Sequence, residues 1–438
     1  MKKIWYLVLL FIVTCQPELI TPYLTAIPQI VWQKCIGGSS DDIAESIQQT
    51  SDGGYIVAGY TLSTDGDLLN KAKYKNYNAY ILKLTSKGDT LWTRLLGGNG
   101  GDIAKSVLQT SEGYVIAAYS NSIDGDLLNQ GNHGKSDFWI FGLNETGKIN
   151  WQKCLGGSGD NVAFAIQKTI NGYVVAGYTQ NNPDGDLAGQ KLLGGNDYWI
   201  VTINNYGNIV NQKCLGGYAD EYPHSIQTIN GGYVVAGYSY STNGYMPSNH
   251  GYDDYFIAKL DNNLDTVWTQ CLGGAGFDEA YSIQQTTDGG YIVAGHSNSA
   301  NFTNGSRENQ DFWIVKLNGE GKVIWQKVLG GSGNDAASSI QQTADGGYII
   351  TGYSNSMDGD LKDITKHGNY DCWIVKLDSK GKITWQKCFG GSSDDIGTSI
   401  QQTTDGSFII AGYSKSTDGD LSGIPKHGDN DYWIIKLY

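Results

Sequence analysis

Trp385-Gln386-Lys387-Cys388-Phe389-Gly390-Gly391, then Ser399-Ile400-Gln401-Gln402-Thr403, then Phe408-Ile409-Ile410-Ala411-Gly412-Tyr413-Ser414, then Asp431-Tyr432-Trp433-Ile434-Ile435-Lys436-Leu437 make up one unit of a repeat. Its marker tryptophan recurs upstream as Trp32, Trp92, Trp151, Trp268 and Trp325, with Asn211 in the fourth slot. Consecutive markers lie 60, 59, 60, 57, 57 and 60 residues apart. A fixed period of this length signals a solenoid or a propeller. Seven copies fill residues 31–438.

Each copy carries four strand signals. Tyr55-Ile56-Val57-Ala58-Gly59-Tyr60 is β-branched and aromatic and follows the turn Asp52-Gly53-Gly54. Trp139 to Leu143 begins another strand, and Ile149 to Leu155 follows at hairpin distance across a turn containing Gly147. The fourth, Ser282 to Thr286, is short and polar on one face. No long window keeps a 3.6-residue apolar period, so almost no helix is expected.

Four strands repeated seven times predict an all-β, seven-bladed propeller of antiparallel blades, because each sheet needs its neighbours to cover both faces. The chain starts on the Trp-Gln-Lys strand and ends on Asp431 to Leu437, one strand out of phase. The last blade must therefore borrow residues 30–36, zipping the two ends together. The expected organisation is a signal segment at 1–15, a linker at 16–29 and one propeller domain at 30–438.

The motif Gly172-Tyr-Val-Val-Ala-Gly-Tyr178, an acid-rich loop, and Tyr198-Trp199-Ile200-Val201 resemble the kelch or galactose-oxidase-type propeller pattern. More closely, the Trp-Gln-Lys and Gly-Gly-Tyr-Ile-Val-Ala-Gly-Tyr repeats are similar to those of secreted and surface proteins of Bacteroidota-like bacteria. The resemblance implies a propeller and says little about activity, since propellers host many functions.

Composition narrows the remaining choices. Glycine numbers 60 of 438 residues without a three-residue period, which rules out collagen. At 40% hydrophobic and 12% aromatic the chain can bury a core, so disorder is excluded. A net charge of −14 argues against nucleic acid. Lys2 and Lys3 precede the apolar run Ile4 to Val13, too short to span a bilayer and suited to a secretory signal. The run ends at Ile12-Val13-Thr14-Cys15, which resembles a lipoprotein signal with Cys15 lipidated; ordinary signal cleavage and a short membrane anchor are the alternatives. Export to the outer membrane or cell surface follows, or else secretion or a periplasmic location. A monomer is expected, touching membrane only through that lipid.

Asp-Gly-Asp triplets recur at Asp65 and Asp67, Asp124 and Asp126, Asp184 and Asp186, Asp358 and Asp360, and Asp418 and Asp420. Asp41-Asp42, Asp102, Asp160, Asp220, Asp278, Asp335 and Asp394-Asp395 mark the crossovers between copies. Both sets should share one face. Paired carboxylates suit Ca²⁺, while Asp and Gly also set turns through their own hydrogen bonds. Cys35, Cys154, Cys214, Cys271 and Cys388 occupy a position held elsewhere by Leu95 and Val328, so these read as buried thiols. Cys372 stands in another strand. His133, His250, His367 and His427 each precede glycine, and scattered around a ring they cannot share one metal.

A functional site on a symmetric scaffold should appear where copies break the rule. The fourth and fifth do so most, with Tyr222, His224, Tyr240, Tyr245, Tyr252, Phe302 and Arg307 as candidate ligand contacts. Simple decay of a redundant repeat is the competing account. The expected function is non-catalytic binding of a glycan or protein partner through the loop face. The alternative is a metal-dependent hydrolase or lyase, which would show an asymmetric cluster of carboxylates or histidines near the axis.

Overall fold

In the computed structural model, residues 27–438 are described apart from 70, 72–73, 247–248 and 300–308. The expected linker and signal, with Cys15, lie wholly or largely outside them. Strand β1 (Ile30–Ile36) precedes the first blade, β2 (Asp42–Gln49), β3 (Tyr55–Thr61), β4 (Asn78–Leu84) and β5 (Thr90–Leu96). Strands β6 to β25, between Asp102 and Phe389, repeat that order five times. The last blade contains β26 (Asp395–Gln402), β27 (Phe408–Ser414) and β28 (Asp431–Leu437), with β1 as its fourth strand. Ile30 pairs with Leu437 and Ile36 with Tyr432, so the ends close the ring as the phase of the repeat requires. Among the described residues the helical content is confined to single turns of 3₁₀ helix at Gly-Asp-Leu.

Each part of the repeat has a physical job. The second and third strands of every blade are buried on both faces, which explains their unbroken apolar runs. Trp139, Trp199, Trp313, Trp373 and Trp433 are buried in them, and large clusters of buried side chains span adjacent blades. Gln212, from the Trp-Gln-Lys position, accepts the Trp199 indole N–H at 2.9 Å and donates to the Asp186 carbonyl at 2.8 Å. Gln152 and Gln386 repeat both bonds. Glutamine thus ties a buried indole to the loop above it. The marker Trp92 donates to the Glu145 carbonyl of the next blade at 2.9 Å, and Asn211 does the same to Asn263 at 2.6 Å. The amide reproduces the indole's bond, which accounts for its place in the fourth slot.

The Ser-Ile-Gln-Gln strands are innermost and bond one another around the axis. The Gln48 side chain accepts the Gln109 N–H at 2.6 Å, and Gln341 accepts that of Gln402 at 2.6 Å. Gln401 closes the circle onto Gln49 at 2.7 Å. These strands are longer than the sequence motif suggests. Each begins four residues earlier, at a buried acid or asparagine, and crosses a β-bulge before the Ser position. At that bulge the chains press together: a Cβ on Gly59 would lie 2.0 Å from the Ile43 carbonyl. Glycine recurs there in every blade but the second, which places Ala118.

Candidate ligand-binding site at the propeller axis

The acidic loops and the crossovers do share one face, and they are bonded to each other. Asp65 accepts the Ser39 N–H at 2.7 Å, and Asp67 accepts that of Gly37 at 3.2 Å. Asp124 and Asp126, Asp184 and Asp186, Asp358 and Asp360, and Asp418 and Asp420 repeat both clamps. Gly66 has φ +58, the left-handed turn that allows two acids to point at one crossover. Bonds to Ser39, Ser158 and Ser392 lower the pKa values of Asp65, Asp184 and Asp418. Among the described residues no group of three His, Cys, Asp or Glu side chains could hold a metal. These carboxylates serve backbone N–H groups, the turn-setting role weighed against calcium.

The other repeated residues also have structural partners. The six described cysteines are all buried. Burial raises the Cys35, Cys154 and Cys372 thiols to about 12. His133 and His250 lie 2.8 and 2.6 Å from Asp137 and Asp254, at the starts of their strands.

The divergent candidates scatter. Tyr222 and His224 lie at the axis in an aromatic plug: His224 is 4.7 Å from Phe164 and 4.7 Å from Tyr281, ring to ring, and Tyr222 is 5.3 Å from Tyr238. Tyr240 sits above them, hydrogen-bonded to Asp253. Tyr245 is half-buried against the core, away from the axis. Tyr252 is 65% exposed on the loop face and stacks on Phe277 at 4.8 Å and 7°. Phe302 and Arg307 lie outside the described residues.

The functional residues that the motif reading largely missed are those at the bulges. Counting from the first blade the bulge residues are Glu45, Lys105, Phe164, His224, Tyr281, Ser338 and Thr398, of which the sequence reading singles out His224 alone. All seven differ, in a scaffold otherwise nearly identical from blade to blade. A signal was present: the residue just before the Ser-Ile position is the one place where no two copies agree. Above this ring runs a collar of Tyr60, Tyr119, Tyr178, Tyr238, Tyr353 and Tyr413, broken by His296 in the fifth blade.

These differences make the axis lopsided. Blades three to five fill it with rings. Blades six, seven and one carry Ala336-Ala337-Ser338, Gly397-Thr398 and Ala44-Glu45, and there a cavity of about 280 Å³ opens, bounded by Glu45, Tyr60, Tyr281, Tyr353 and Tyr413. Above it, sharing Tyr60, Tyr353 and Tyr413, a wider space of about 480 Å³ reaches the loop face between Asp41, Tyr77, Tyr370, Asp394, Lys415 and Asn430. Tyr77 meets Tyr60 edge-on at 5.4 Å, and Tyr370 meets Tyr353 likewise at 5.2 Å. Two matched tyrosine pairs thus flank blade seven.

On the far wall lies a polar group found in no other blade. The Tyr281 hydroxyl bonds Glu279, and His296 Nε2 lies 4.0 Å from the same carboxylate. Burial raises the Glu279 carboxyl, and burial with the neighbouring Glu279 charge takes Asp253 to about 7. Burial holds His224 at about 3 and His296 at about 4, so both rings are neutral at pH 7.

No protein-family model and no curated protein matches this chain. Solved structures resemble it at low identity. A protein of unknown function from Bacteroides caccae is 14% identical, with 73% of this chain and 94% of that one covered and a TM-score of 0.38. BamB from Moraxella catarrhalis is 13% identical over 94% and 99%, with a TM-score of 0.42. The Pan2 WD40 domain from Neurospora crassa is 10% identical over 92% and 95%, with a TM-score of 0.47.

Proposed function

We propose that this chain is a non-catalytic binding propeller, exported to the cell surface, that takes a glycan or protein partner into its loop face at the axis. The observation that carries this reading is the lopsided axis. A scaffold with seven near-equal blades has opened one tyrosine-walled, carboxylate-edged pocket by placing its smallest inner residues side by side in three of them. Aromatic walls with a few polar groups are the usual make-up of a ligand site. The carboxylates of the Asp-Gly-Asp loops are committed to backbone N–H groups, so the alternative, a metal-dependent hydrolase or lyase, would have to draw on the asymmetric axial group of Glu279, Tyr281 and His296.

The test is a screen of the purified propeller against glycan arrays and surface proteins, with the Tyr77→Ala, Tyr370→Ala double variant beside it. The specific signal should fall about tenfold or more in the variant, as expected for losing two aromatic contacts. Undiminished binding would move the site off the axis. The Lys2-Lys3 and Ile4–Val13 segment supports export, and Cys15 supports lipid anchoring. Lipid labelling lost in Cys15→Ala is the expected result, and equal labelling of both forms would count against the anchor.

A further inference from the structure

The axial cavity also points to the chemistry of its occupant. We propose that it binds an organic cation, a protonated amine or guanidinium, seated between the tyrosine collar and the Glu45 carboxylate. This rests on the axial-binding reading above and deepens it.

The protein already places one cation in this environment. The Lys105 ammonium is 2.5 Å from Glu45 Oε1 and lies over the rings of Tyr60 and Phe164, 5.9 and 6.0 Å from their centroids. An ammonium held by one carboxylate and two aromatic faces is the arrangement that cation–π attraction favours. Glu45 and Tyr60 also face the cavity, where Tyr353 and Tyr413 complete the walls. The cavity side of Glu45 therefore mirrors the side that faces Lys105.

Charge around the opening agrees. Among the described residues Glu45, Asp41 and Asp394 line the two joined spaces, together with the ammonium of Lys415. Asp41 Oδ1 accepts from Asn430 at 2.6 Å and Asp394 Oδ1 from Asn369 at 2.8 Å, so each acid is oriented by an amide. The opposite wall is Tyr281, with the ring of His296 5.6 Å from its own. His296 is 3% exposed, neither of its ring nitrogens has a hydrogen-bond partner, and it sits beside Glu279. Tyr281, held by that carboxylate, is the face the cavity presents toward Glu45. A cation in the cavity thus has carboxylates behind both walls, one direct and one through a phenol.

Calorimetric titration of the whole mature chain with spermidine, with lysine- and arginine-bearing peptides, and with their N-acetylated neutral forms tests this. The charged forms should bind and the neutral ones should not, with affinity falling as salt rises. Glu45→Gln should weaken binding about tenfold, the loss of one charged contact. Lys105→Met should strengthen it, because the internal competitor for Glu45 is gone; this keeps the test informative if Glu45→Gln misfolds. Tighter binding of peptides than of spermidine assigns the cation to a protein side chain, and the reverse assigns it to a free polyamine. Equal binding of charged and neutral forms, or no binding of either, overturns the proposal. If a glycan or protein from the screen is nonetheless lost in the tyrosine double variant, the axial site stands and the cation falls alone.

Discussion

Raising the pH should loosen the ring at its blade junctions. At each junction a buried polar residue at the start of a third strand meets the first residue of the next blade's innermost strand, also buried. At the closure these are Asp431 and Asp42, each 0% exposed. A Cβ on Gly37 would lie 2.4 Å from Asp42 Oδ2 and 2.8 Å from Asp431 Oδ1, so the two carboxyls face one small space. Asp42 Oδ2 accepts from the Gly38 N–H at 2.8 Å and the Ser63 hydroxyl at 2.9 Å, yet these bonds do not offset its burial. Burial, reinforced by the charge of Asp431, raises Asp42 from 3.8 to about 6.

That rise corresponds to about 3 kcal/mol. The folded chain holds a proton that the unfolded chain releases at lower pH. The stabilisation is therefore complete below about pH 4, fades as pH climbs through about 6, and is absent above it. Asp197 and Glu221 form the corresponding pair further round, raised by burial to about 6 and about 7. Asn161 shows that an amide is accepted at the position of Asp42, where its Nδ2 donates to Gly159 at 3.1 Å. The perturbation is Asp42→Asn, followed by urea unfolding monitored by tryptophan fluorescence between about pH 4.5 and 7.5. Wild-type stability should drop across that range by about 2 kcal/mol more than the variant's, since part of the effect has already gone by pH 4.5. The salt-bridged Asp52 and Asp288, both held near 2, titrate below this window and cancel in the difference. Parallel pH profiles for the two proteins would refute the reasoning.

Deleting residues 27–36 strips β1 from β28 and should cost roughly 5 kcal/mol from its ladder bonds alone; a peptide of residues 30–36 added in trans should recover the transition, and an unchanged melt would contradict closure by this strand. Gln212→Leu removes both the Trp199 and the Asp186 bonds and should destabilise by about 1–3 kcal/mol in urea, whereas a neutral effect would deny the glutamine its bridging role. Alkylation at about pH 8 should leave Cys35, Cys154 and Cys372 unmodified until denaturant is added, given thiols at about 12 and full burial; rapid labelling of the native protein would contradict that. Chelator and added calcium should leave the melting temperature unchanged, since the Asp-Gly-Asp carboxylates already hold backbone N–H groups; a rise with calcium would restore the metal reading.

How far the sequence could be read depended on whether a residue's role repeats. Gln33, Gln212 and Gln386 do the same thing in different blades, so the period alone exposed blade number, strand order and the shared closure. The acids at Asp42, Asp102 and Asp395 repeat as well, yet their burial was hidden, because an Asp beside Gly-Gly-Ser reads as an exposed turn residue. Extending the inner strand through a bulge is what draws them inside. The axial site inverted the logic. Looking for copies that break the pattern led to Tyr222 and His224 at the axis, but equally to Tyr245, packed against the core, and Tyr252, exposed on the loop face. The informative break was a single residue per copy, flanked on both sides by conserved spacing. A bulge points that residue at the axis, where seven side chains must share a narrow cylinder and cannot all be large. Phe164, His224 and Tyr281 fill one half, so Ser338 and Thr398 leave the other half open. On a closed ring, the pocket is therefore set by what the opposite blades place at the axis as much as by its own walls.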